Sequence, residues 1–368
     1  MPQAQETILE IDLTALKRNF KYLKSKLNTN TKFLAVVKAF GYGSEAVEIS
    51  KYLQKLNIDY LAVAYIKEGI CLRNAGITTP VLVLHPQPVN FKLLIEHCLE
   101  PSLYSAKTLN EFIKVVKEKN QTDYPVHLKF NTGLNRLGFW ENDLEFISNA
   151  LKRTSSIKVK SIFSHLAASE DLNEKEFSLN QIESFKNTSS ELIDLLGYKP
   201  WLHICNTSGI LNFPEAHFDM VRSGIGLYGF GNSEKENQNL IPITSLKSVI
   251  SQIHLIEKGE TVGYNRGFKS SSFQKTATIP IGHADGIGRQ YGHGKGFVTI
   301  NSKKAPIIGN VCMDMIMVNI SGIDCKEGDE VVIFDKTNTA EQLGNKTNTI
   351  SYEVLTSVSQ RVKRVFCR

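Results

Sequence analysis

The sequence predicts an α/β protein in which a (β/α)₈ TIM-type barrel is followed by a mainly β C-terminal domain. Two observations predict the barrel: short apolar runs recur along the first two-thirds of the chain, and amphipathic stretches with helical spacing separate them. After about residue 240, β-rich segments separated by glycine-containing turns predict a second domain. A length of 368 residues also favours two domains over one core. We therefore assign residues 1–240 to the barrel and residues 241–368 to the β domain.

The barrel strands are predicted from uninterrupted apolar runs, which are typical of parallel strands covered on both faces. The clear runs are FLAVV (33–37), YLAVA (60–64), VLVL (81–84), VHLKF (126–130), VKSIF (159–163) and WLHIC (201–205). Two weaker runs, near 99–102 and 218–221, raise the count to eight, which favours a closed barrel over an open doubly wound sheet. Segments 45–56 and 109–119 carry apolar residues at helical spacing and predict helices between strands.

The second domain is predicted from five β-rich segments and shows no convincing helix until its end. The segments are SVISQIHLI, TATIPIG, GFVTI, APIIGNVCMDMIMVNI and EVVIF.

Composition and charge exclude several classes of protein. A net charge of +6 without a basic block argues against a nucleic-acid partner. The six cysteines are scattered and form no Cys-x-x-Cys pair, so we expect neither a disulfide framework nor a metal site. The N-terminal segment lacks the pattern of a signal peptide, and no apolar stretch is long enough to cross a bilayer. We expect a cytoplasmic protein without a membrane partner.

Unusual polar residues follow the predicted barrel strands. In a (β/α)₈ barrel the working residues gather at the C-terminal ends of the strands, so these side chains are expected to converge on one mouth. They are Lys38 after FLAVV, Asn131 and Arg136 after VHLKF, His165 after VKSIF, Asn206 and Thr207 after WLHIC, and Arg222 before SGIGLYG.

Lys38 is the most informative of these residues. A lysine at the buried end of an apolar strand is costly unless it is paired or used chemically. It either snorkels to the surface, or it is a Schiff-base lysine whose amine is kept neutral by desolvation. The glycine-rich run 223–229 is a plausible phosphate cradle but also resembles an ordinary turn. His165 and Arg222 likewise have structural alternatives, as a satisfied buried histidine and an ion pair.

Taken together, these segments resemble the alanine racemase family along nearly the whole chain. The motifs, in the family's order, are AVVKAFGYG, KFNTGLNRLGF, FSHLAASED, HICNTSGI, VRSGIGLYG, GETVGYNRGF, TIPIGHADGIGR, APIIGNVCMDMIMV and ISYEVLTSVSQRV.

The resemblance implies pyridoxal phosphate bound at the barrel mouth, and it assigns roles to matching positions. Lys38 would hold the cofactor as a Schiff base, and Arg222 would face the pyridine nitrogen with His165 behind it. The phosphate would be held by Tyr42, Thr207, Gly224, Ile225 and Tyr352, with Asn206 in the same cofactor site. Arg136 would steady the ring oxygen, Met313 would bind the substrate carboxylate and Asp314 would support it.

The implied reaction is the interconversion of L- and D-alanine, which supplies D-alanine for peptidoglycan. Racemisation removes a proton from one face of the α-carbon and returns it to the other, so one base per face is the simplest solution. Lys38 and Tyr264 are suitable bases. Because they lie in different domains, we expect a homodimer whose sites are each completed by Tyr264 and Met313 of the other chain.

Several positions depart from the family pattern. Phe40-Gly41 stands where Asn-Ala is usual, Asn131 replaces an aspartate, and Asn135 replaces a commoner glycine. His283 occupies a position at the active-site entrance that is usually tyrosine, which leaves the substrate range open. Lys129 matches a lysine that is carbamylated in many relatives, and an ordinary salt bridge is the alternative.

Three rival functions remain. A racemase of serine or of a broader set of amino acids is the nearest. A barrel-type amino-acid decarboxylase is disfavoured, because the chain has no run of three glycines for the phosphate and no acidic residue in place of Arg222. A non-enzymatic pyridoxal-phosphate-binding protein would be a single barrel, without the β domain that carries Tyr264 and Tyr352.

Overall fold

The computed structural model describes residues 4–368, which form two compact units. One unit, the barrel unit, contains Lys17–Gly41 and Ala46–Leu240. The other, the β unit, contains Ile241–Arg368 together with the residues up to Leu16 and Tyr42–Glu45. The single boundary predicted after residue 240 therefore needs two exceptions. One has a clear cause, because the first strand of the chain pairs with strands of the β unit.

The elements are numbered in chain order. The strands are β1 (Ile8–Asp12), β2 (Lys32–Val36), β3 (Tyr60–Val63), β4 (Val81–Val83), β5 (Glu100–Leu103), β6 (Tyr124–Lys129), β7 (Ile157–Phe163), β8 (Trp201–His203), β9 (Met220–Ser223), β10 (Thr244–Val249), β11 (Gln252–Ile256), β12 (Thr261–Val262), β13 (Phe268–Lys269), β14 (Gln274–Ile279), β15 (Phe297–Ile300), β16 (Lys303–Ile308), β17 (Ile316–Asn319), β18 (Glu330–Phe334) and β19 (Lys363–Cys367).

The right-handed helices are α1 (Leu13–Lys24), α2 (Ala46–Lys55), α3 (Ile66–Asn74), α4 (Phe91–Glu96), α5 (Ala106–Glu118), α6 (Leu144–Lys152), α7 (Lys175–Leu196), α8 (Thr207–Asn212), α9 (Glu234–Asn237), α10 (Ala340–Asn345) and α11 (Ser351–Ser357). Helices α2 and α5 occupy the two segments in which helical spacing was found. Helix α5 begins where the Ser105 hydroxyl accepts a hydrogen bond from the Thr108 amide at 3.3 Å, a standard N-cap.

The eight strands β2 to β9 form the predicted parallel barrel, in the sheet order β8-β7-β6-β5-β4-β3-β2-β9. The two ends of this order meet, because the Asp219 amide donates to Leu202 O and the Arg222 amide donates to Cys205 O, each at 3.1 Å. Several of these strands consist mainly of buried apolar residues, such as Phe33-Leu34-Ala35 of β2. The (β/α)₈ prediction is confirmed, including the two strands with the weakest apolar runs.

The β unit contains a nine-stranded sheet with the order β11-β14-β17-β16-β15-β18-β10-β1-β19. Its pairs are antiparallel except β1 with β19, which run parallel from Ile8 beside Lys363 to Asp12 beside Cys367. The predicted mainly β domain is thus confirmed. Helix α11 is followed by strand β19, so the chain ends in the sheet.

Strands β12 and β13 form a separate two-stranded hairpin, whose loop carries Tyr264. No helix within residues 4–368 is both long and apolar enough to span a bilayer.

Candidate active site

Lys38 lies two residues after the end of β2, at the start of a left-handed turn. Ala39, Phe40 and Gly41 all have positive φ, between 53° and 61°. Such a run is costly for side-chain-bearing residues, and a glycine at position 41 relieves part of that cost.

Glu68 stabilises this turn, and sequence analysis missed it. Its carboxylate accepts hydrogen bonds from the backbone amide of Ala39 at 2.6 Å, from Ala64 at 2.7 Å and from Tyr65 at 3.0 Å. The residue is the third of helix α3 and caps that helix. The only feature of the sequence that could have drawn attention to Glu68 is its position in the first turn of a helix. Nothing in the sequence linked that position to Lys38.

Lys38 belongs to a group of cationic side chains that influence one another near the C-terminal ends of the barrel strands. Burial, reinforced by the charge of Arg136, lowers the pKa of Lys38, while the carboxylate of Glu68 acts in the opposite direction. Burial and the charges of Arg136, Arg222 and Lys38 lower the pKa of Lys129 to about 8. The barrel therefore brings Lys38 close to other positive charge, and the pKa of its amine lies below that of an exposed lysine.

Arg222 lies buried on β9, and its guanidinium contacts histidines and backbone carbonyls. Nη1 lies 2.6 Å from His203 Nδ1, and Nη2 lies 3.1 Å from His165 Nδ1. Nη2 also donates to Ser164 O at 2.7 Å and to Ile204 O at 3.1 Å. Burial lowers the pKa of Arg222 to about 10, so the group keeps its charge at neutral pH.

His165 and His203 serve Arg222 as acceptors. Burial and the arginine's charge hold the pKa of each imidazole well below its usual value. A neutral imidazole has one nitrogen without a proton, and that nitrogen accepts from the guanidinium. The sequence placed His165 behind Arg222 but did not identify His203. Nothing in the residues around a histidine within an apolar strand indicates which distant residue it contacts.

Three of the proposed phosphate-binding residues meet in the barrel unit. The buried hydroxyl of Thr207 lies 3.0 Å from Ser223 Oγ and accepts from the amide of Gly226 at 3.3 Å. Gly224 and Ile225 form the turn between these contacts, in which the Leu227 amide donates to Gly224 O. A Cβ at Gly226 would lie 2.5 Å from the Thr207 methyl, so this position requires glycine.

Asn206 has a structural task beside this turn. Its side-chain oxygen accepts from the Gly209 amide and from Ser169 Oγ, both at 2.8 Å, and thereby caps α8. Its assignment to the cofactor site stays a prediction.

Tyr42 and Tyr352, the other two proposed phosphate ligands, lie together in the β unit. Their ring centroids are 6.0 Å apart, and burial together with the Tyr352 hydroxyl raises the pKa of Tyr42. The next residue, Gly43, has φ +80°, and a Cβ there would lie 2.2 Å from Leu355 O.

Tyr264 and Met313 line one open cavity of about 480 Å³ in the β unit. Their side chains are 73% and 59% exposed, unusually high for large apolar residues. Asn310, which sequence analysis missed, donates to Tyr264 O at 3.0 Å and so ties the hairpin loop to the segment before Met313.

The supporting residues of this face are held by backbone and ionic contacts. Arg361 donates to Asp314 Oδ1 at 2.6 Å and to Asp285 Oδ1 at 2.7 Å. His283 is exposed, and its backbone amide donates to Cys312 O at 2.9 Å. The turn that carries His283 thus packs directly against the loop that carries Met313.

Two departures from the family pattern near Arg136 are coupled in the structure. Asn135 adopts a left-handed φ of 55°, which asparagine tolerates better than most residues, and its side chain accepts from Asn131 Nδ2 at 2.9 Å. The side-chain oxygen of Asn131 accepts in turn from the Asn135 amide at 2.9 Å. The two departures, asparagine for aspartate at position 131 and asparagine for glycine at position 135, are therefore linked by direct hydrogen bonds.

The donor set fits a bound anion such as pyridoxal phosphate. Four cationic side chains influence one another at the barrel mouth, and Glu68, the carboxylate that acts on Lys38, is occupied by three backbone amides. Clustered charge of one sign at a partly buried site is unfavourable unless a ligand of the opposite sign is bound. A lysine with a lowered pKa supplies the amine that an aldehyde requires.

Fold and site together define a class: an α/β-barrel protein with a lysine of lowered pKa near a strand end, extended by a mainly β unit. Comparison with known proteins is more specific. The family models "Alanine racemase, N-terminal domain" and "Alanine racemase, C-terminal domain" match residues 11–231 and 243–366. The chain belongs to the alanine racemase family.

Individual relatives cover the full length. The alanine racemase of Thermodesulfovibrio yellowstonii is 35% identical over 97% of this chain and 96% of its own. The solved structure of a Clostridium difficile alanine racemase superposes with a TM-score of 0.93 at 34% identity, covering 100% of this chain and 97% of that one. A Bartonella henselae alanine racemase, described with covalently bound pyridoxal phosphate, has a TM-score of 0.89 at 29% identity, covering 99% and 100%.

Proposed function

We propose that this protein is a pyridoxal-phosphate-dependent racemase that interconverts L- and D-alanine. The single observation that carries the proposal is Lys38, placed at the end of β2 with a lowered pKa among cationic side chains. Pyridoxal phosphate, when bound to the amino group of an amino acid, acidifies the proton on the α-carbon. The physiological role that we infer from the family is the supply of D-alanine for peptidoglycan.

Lys38 is the proposed cofactor-binding residue and the base for one face of the α-carbon. Its amine is partly desolvated and lies beside positive charge, so less free energy is needed to keep it neutral than for an exposed lysine. Glu68 fixes the backbone that follows Lys38 and keeps the turn in its left-handed form.

Tyr264 is the proposed base for the opposite face, supplied by the partner subunit of a homodimer. The support is its exposure beside Met313 and Met315, since a cluster of exposed apolar side chains on a folded unit marks an interaction surface. Met313 would meet the substrate carboxylate from the same surface.

Arg222 is proposed to face the pyridine nitrogen of the cofactor. A guanidinium has donors only and stays charged, so it cannot deliver a proton to that nitrogen as a carboxylic acid does. Its bonds to two histidines and several carbonyls fix its plane. An arginine at this position would limit electron withdrawal by the pyridine ring of the cofactor. It would thereby favour proton exchange over transamination or decarboxylation.

The remaining cofactor contacts are proposed residue by residue. Thr207, Gly224 and Ile225 would hold the phosphate from the barrel unit, and Tyr42 and Tyr352 from the β unit. Arg136 would contact the ring oxygen.

Lys129 is proposed to be carbamylated, a reaction of its neutral amine with carbon dioxide that releases one proton. A pKa of about 8 leaves part of the amine neutral near physiological pH. Within residues 4–368, no carboxylate lies within ion-pair distance of Lys129, so the salt-bridge alternative lacks its partner. A carbamate signal in ¹³C NMR after incubation with ¹³C-bicarbonate, absent in Lys129→Ala, tests this; no signal would refute it.

The experiment that tests the proposed function is chiral analysis with two substrates. Protein supplied with pyridoxal phosphate is incubated with L-alanine and, separately, with L-serine. We expect D-alanine to form until both enantiomers are equal, much faster than D-serine, and Lys38→Ala to form neither. Faster D-serine formation would move the substrate to serine and its relatives, in line with His283, and release of carbon dioxide would indicate a decarboxylase.

A further inference from the structure

A series of hydrogen bonds crosses the interior of the barrel from Arg222 to Glu100. Arg222 Nη1 lies 2.6 Å from His203 Nδ1, and His203 Nε2 lies 2.8 Å from Ser161 Oγ. Ser161 Oγ lies 2.6 Å from His127 Nδ1, and His127 Nε2 lies 2.7 Å from Glu100 Oε2. We call these five residues the interior series. They come from β9, β8, β7, β6 and β5, one residue from each of five consecutive strands around the barrel.

With one proton on each imidazole, the two ends of the interior series allow only one direction for the bonds within it. Arginine only donates, so His203 Nδ1 accepts and His203 Nε2 carries the ring proton. That proton is donated to Ser161 Oγ. The hydroxyl proton of Ser161 then has His127 Nδ1 as its acceptor, which leaves the His127 ring proton on Nε2. This proton is donated to the carboxylate of Glu100, which only accepts.

The four bonds of the series are therefore all made in one arrangement, in which every bond points from Arg222 to Glu100. His127, Ser161 and His203 are completely buried, and Arg222 nearly so. A fully satisfied buried network is rigid, and its aligned bonds polarise one another. His203 is held further by Phe163, whose ring stacks on the imidazole with centroids 4.8 Å apart.

We propose that His203, Ser161, His127 and Glu100 are positioning residues, which orient Arg222 and set its charge against the distant carboxylate of Glu100. The inference rests on the proposed function, in which Arg222 faces the cofactor. Among residues 4–368, no carboxylate forms an ion pair with Arg222. Glu100, at the far end of the interior series, supplies the negative charge that a directly paired carboxylate would otherwise provide. No acidic side chain is then needed beside the cofactor.

The first test measures the histidine tautomers, without reference to activity. Protein labelled with ¹⁵N-histidine is recorded by NMR with and without pyridoxal phosphate. We expect His203 and His127 to be neutral, with the proton on Nε2 in both. In Ser161→Ala we expect both sets of ring shifts to change. A doubly protonated His127, or His203 shifts unaffected by Ser161→Ala, would overturn the proposal.

Ser102 offers a matched control. It lies on β5, is as buried as Ser161, and its hydroxyl has no hydrogen-bond partner among residues 4–368. Ser102→Ala therefore removes the same atom from the barrel without interrupting the series. We expect its histidine spectrum and its kinetics to match those of the unaltered protein.

The second test separates positioning from general stability by kinetics. Loss of one hydrogen bond behind Arg222 is expected to lower kcat for alanine about tenfold in Ser161→Ala and leave KM nearly unchanged. Glu100→Gln keeps an acceptor for His127 but removes the charge, so we expect a decrease of about threefold. If both variants match Ser102→Ala in kcat, the series is only structural and the proposal fails.

The outcomes distinguish this inference from the proposed function. If the unaltered protein forms no D-alanine, the proposed function fails, while the tautomers still report whether the series exists. If it racemises alanine and the variants show no effect, only the inference fails.

Discussion

At the scale of single residues, the site depends on the electrostatic environment of a few buried groups. Lys38, Lys129 and Arg222 all have lowered pKa values, and in each case burial is the largest cause. A buried cation lowers the stability of the folded protein unless a ligand compensates it. At these positions, the burial that suits the proposed chemistry therefore lowers the stability of the folded protein.

Lys129 makes this opposition measurable. Its pKa is about 8 in the folded protein and about 10.4 in an unfolded chain. Between these values the unfolded state retains a proton that the folded state has lost, so the free energy of unfolding is expected to rise with pH. Urea unfolding of the cofactor-free protein in carbon-dioxide-free buffer measures this. Lys129→Met should reduce the slope between pH 8 and 10, whereas Lys258→Met, at an exposed position, should not. An equal slope in the Lys129 variant would contradict the assigned environment.

Gly43 tests the close packing beside Tyr42. Gly43→Ala would place a methyl group 2.2 Å from Leu355 O in a residue with φ +80°. Gly76→Ala has nearly the same backbone conformation, φ +82°, but no atom within 4 Å. We expect a loss of about 1 kcal/mol for Gly76→Ala and of about 3 kcal/mol or more for Gly43→Ala, by chemical unfolding. Equal losses would show that the contact with Leu355 is not tight.

At the scale of elements, the structure shows how a segment of four residues joins the β unit. Arg364, on β19, donates from Nε and Nη2 to Gly43 O at 3.1 and 2.9 Å. It also donates to Val358 O at 2.8 Å and to Val362 O at 2.6 Å. One side chain thus satisfies carbonyl groups from three parts of the β unit, including the segment that carries Tyr42.

Arg364→Met is therefore expected to loosen Tyr42–Glu45 and weaken the proposed phosphate site. Carbonyl groups that lose a charged donor cost about 1–3 kcal/mol, which corresponds to roughly tenfold weaker binding of pyridoxal phosphate if the loss falls on this segment. Fluorescence titration of the cofactor-free protein measures the Kd. Lys363→Met is the control, because Lys363 lies on the same strand and forms an exposed ion pair with Glu6. If Arg364→Met binds pyridoxal phosphate with unchanged affinity, the segment that carries Tyr42 does not contribute to cofactor binding.

The elements also show why some features could be predicted and others could not. The barrel strands are recognisable because continuous apolar runs are a local signal. Strand β1 was missed, because its apolar run is interrupted by Glu10 and its partners β10 and β19 lie more than 230 residues later. The left-handed turn after Lys38 was also missed, since Ala39 and Phe40 are not residues that favour positive φ.

The candidate site divides in the same way. Lys38, His165, Thr207 and Arg222 could be found because each follows or ends an apolar strand. Glu68, His203 and Asn310 could not, because their importance lies in partners distant in sequence. Met313 and Tyr264 were found only through the resemblance to a family, since neither residue type is distinctive in a β-rich segment.

At the scale of the whole molecule, the proposed chemistry needs residues from both units. Lys38 belongs to the barrel unit, while Tyr264 and Met313 belong to the β unit and are exposed there. The proposed homodimer with two shared sites would account for both observations. It requires that activity depend on association, so activity per mole should fall when the protein is diluted below the dissociation constant of the dimer.

Complementation between two variants tests the central claim most directly. Lys38→Ala and Tyr264→Phe are each expected to racemise alanine at least a hundredfold more slowly than the unaltered protein, in keeping with the loss of a general base. Mixed dimers are formed by unfolding and refolding the two variants together with pyridoxal phosphate, and D-alanine is measured by chiral chromatography. If Tyr264 acts in the partner's site, each mixed dimer regains one complete site, and activity should recover to a substantial fraction of the unaltered protein's. If the mixture stays as inactive as its components while mixed dimers are present, Tyr264 does not serve the partner's Lys38, and the shared two-base site is wrong.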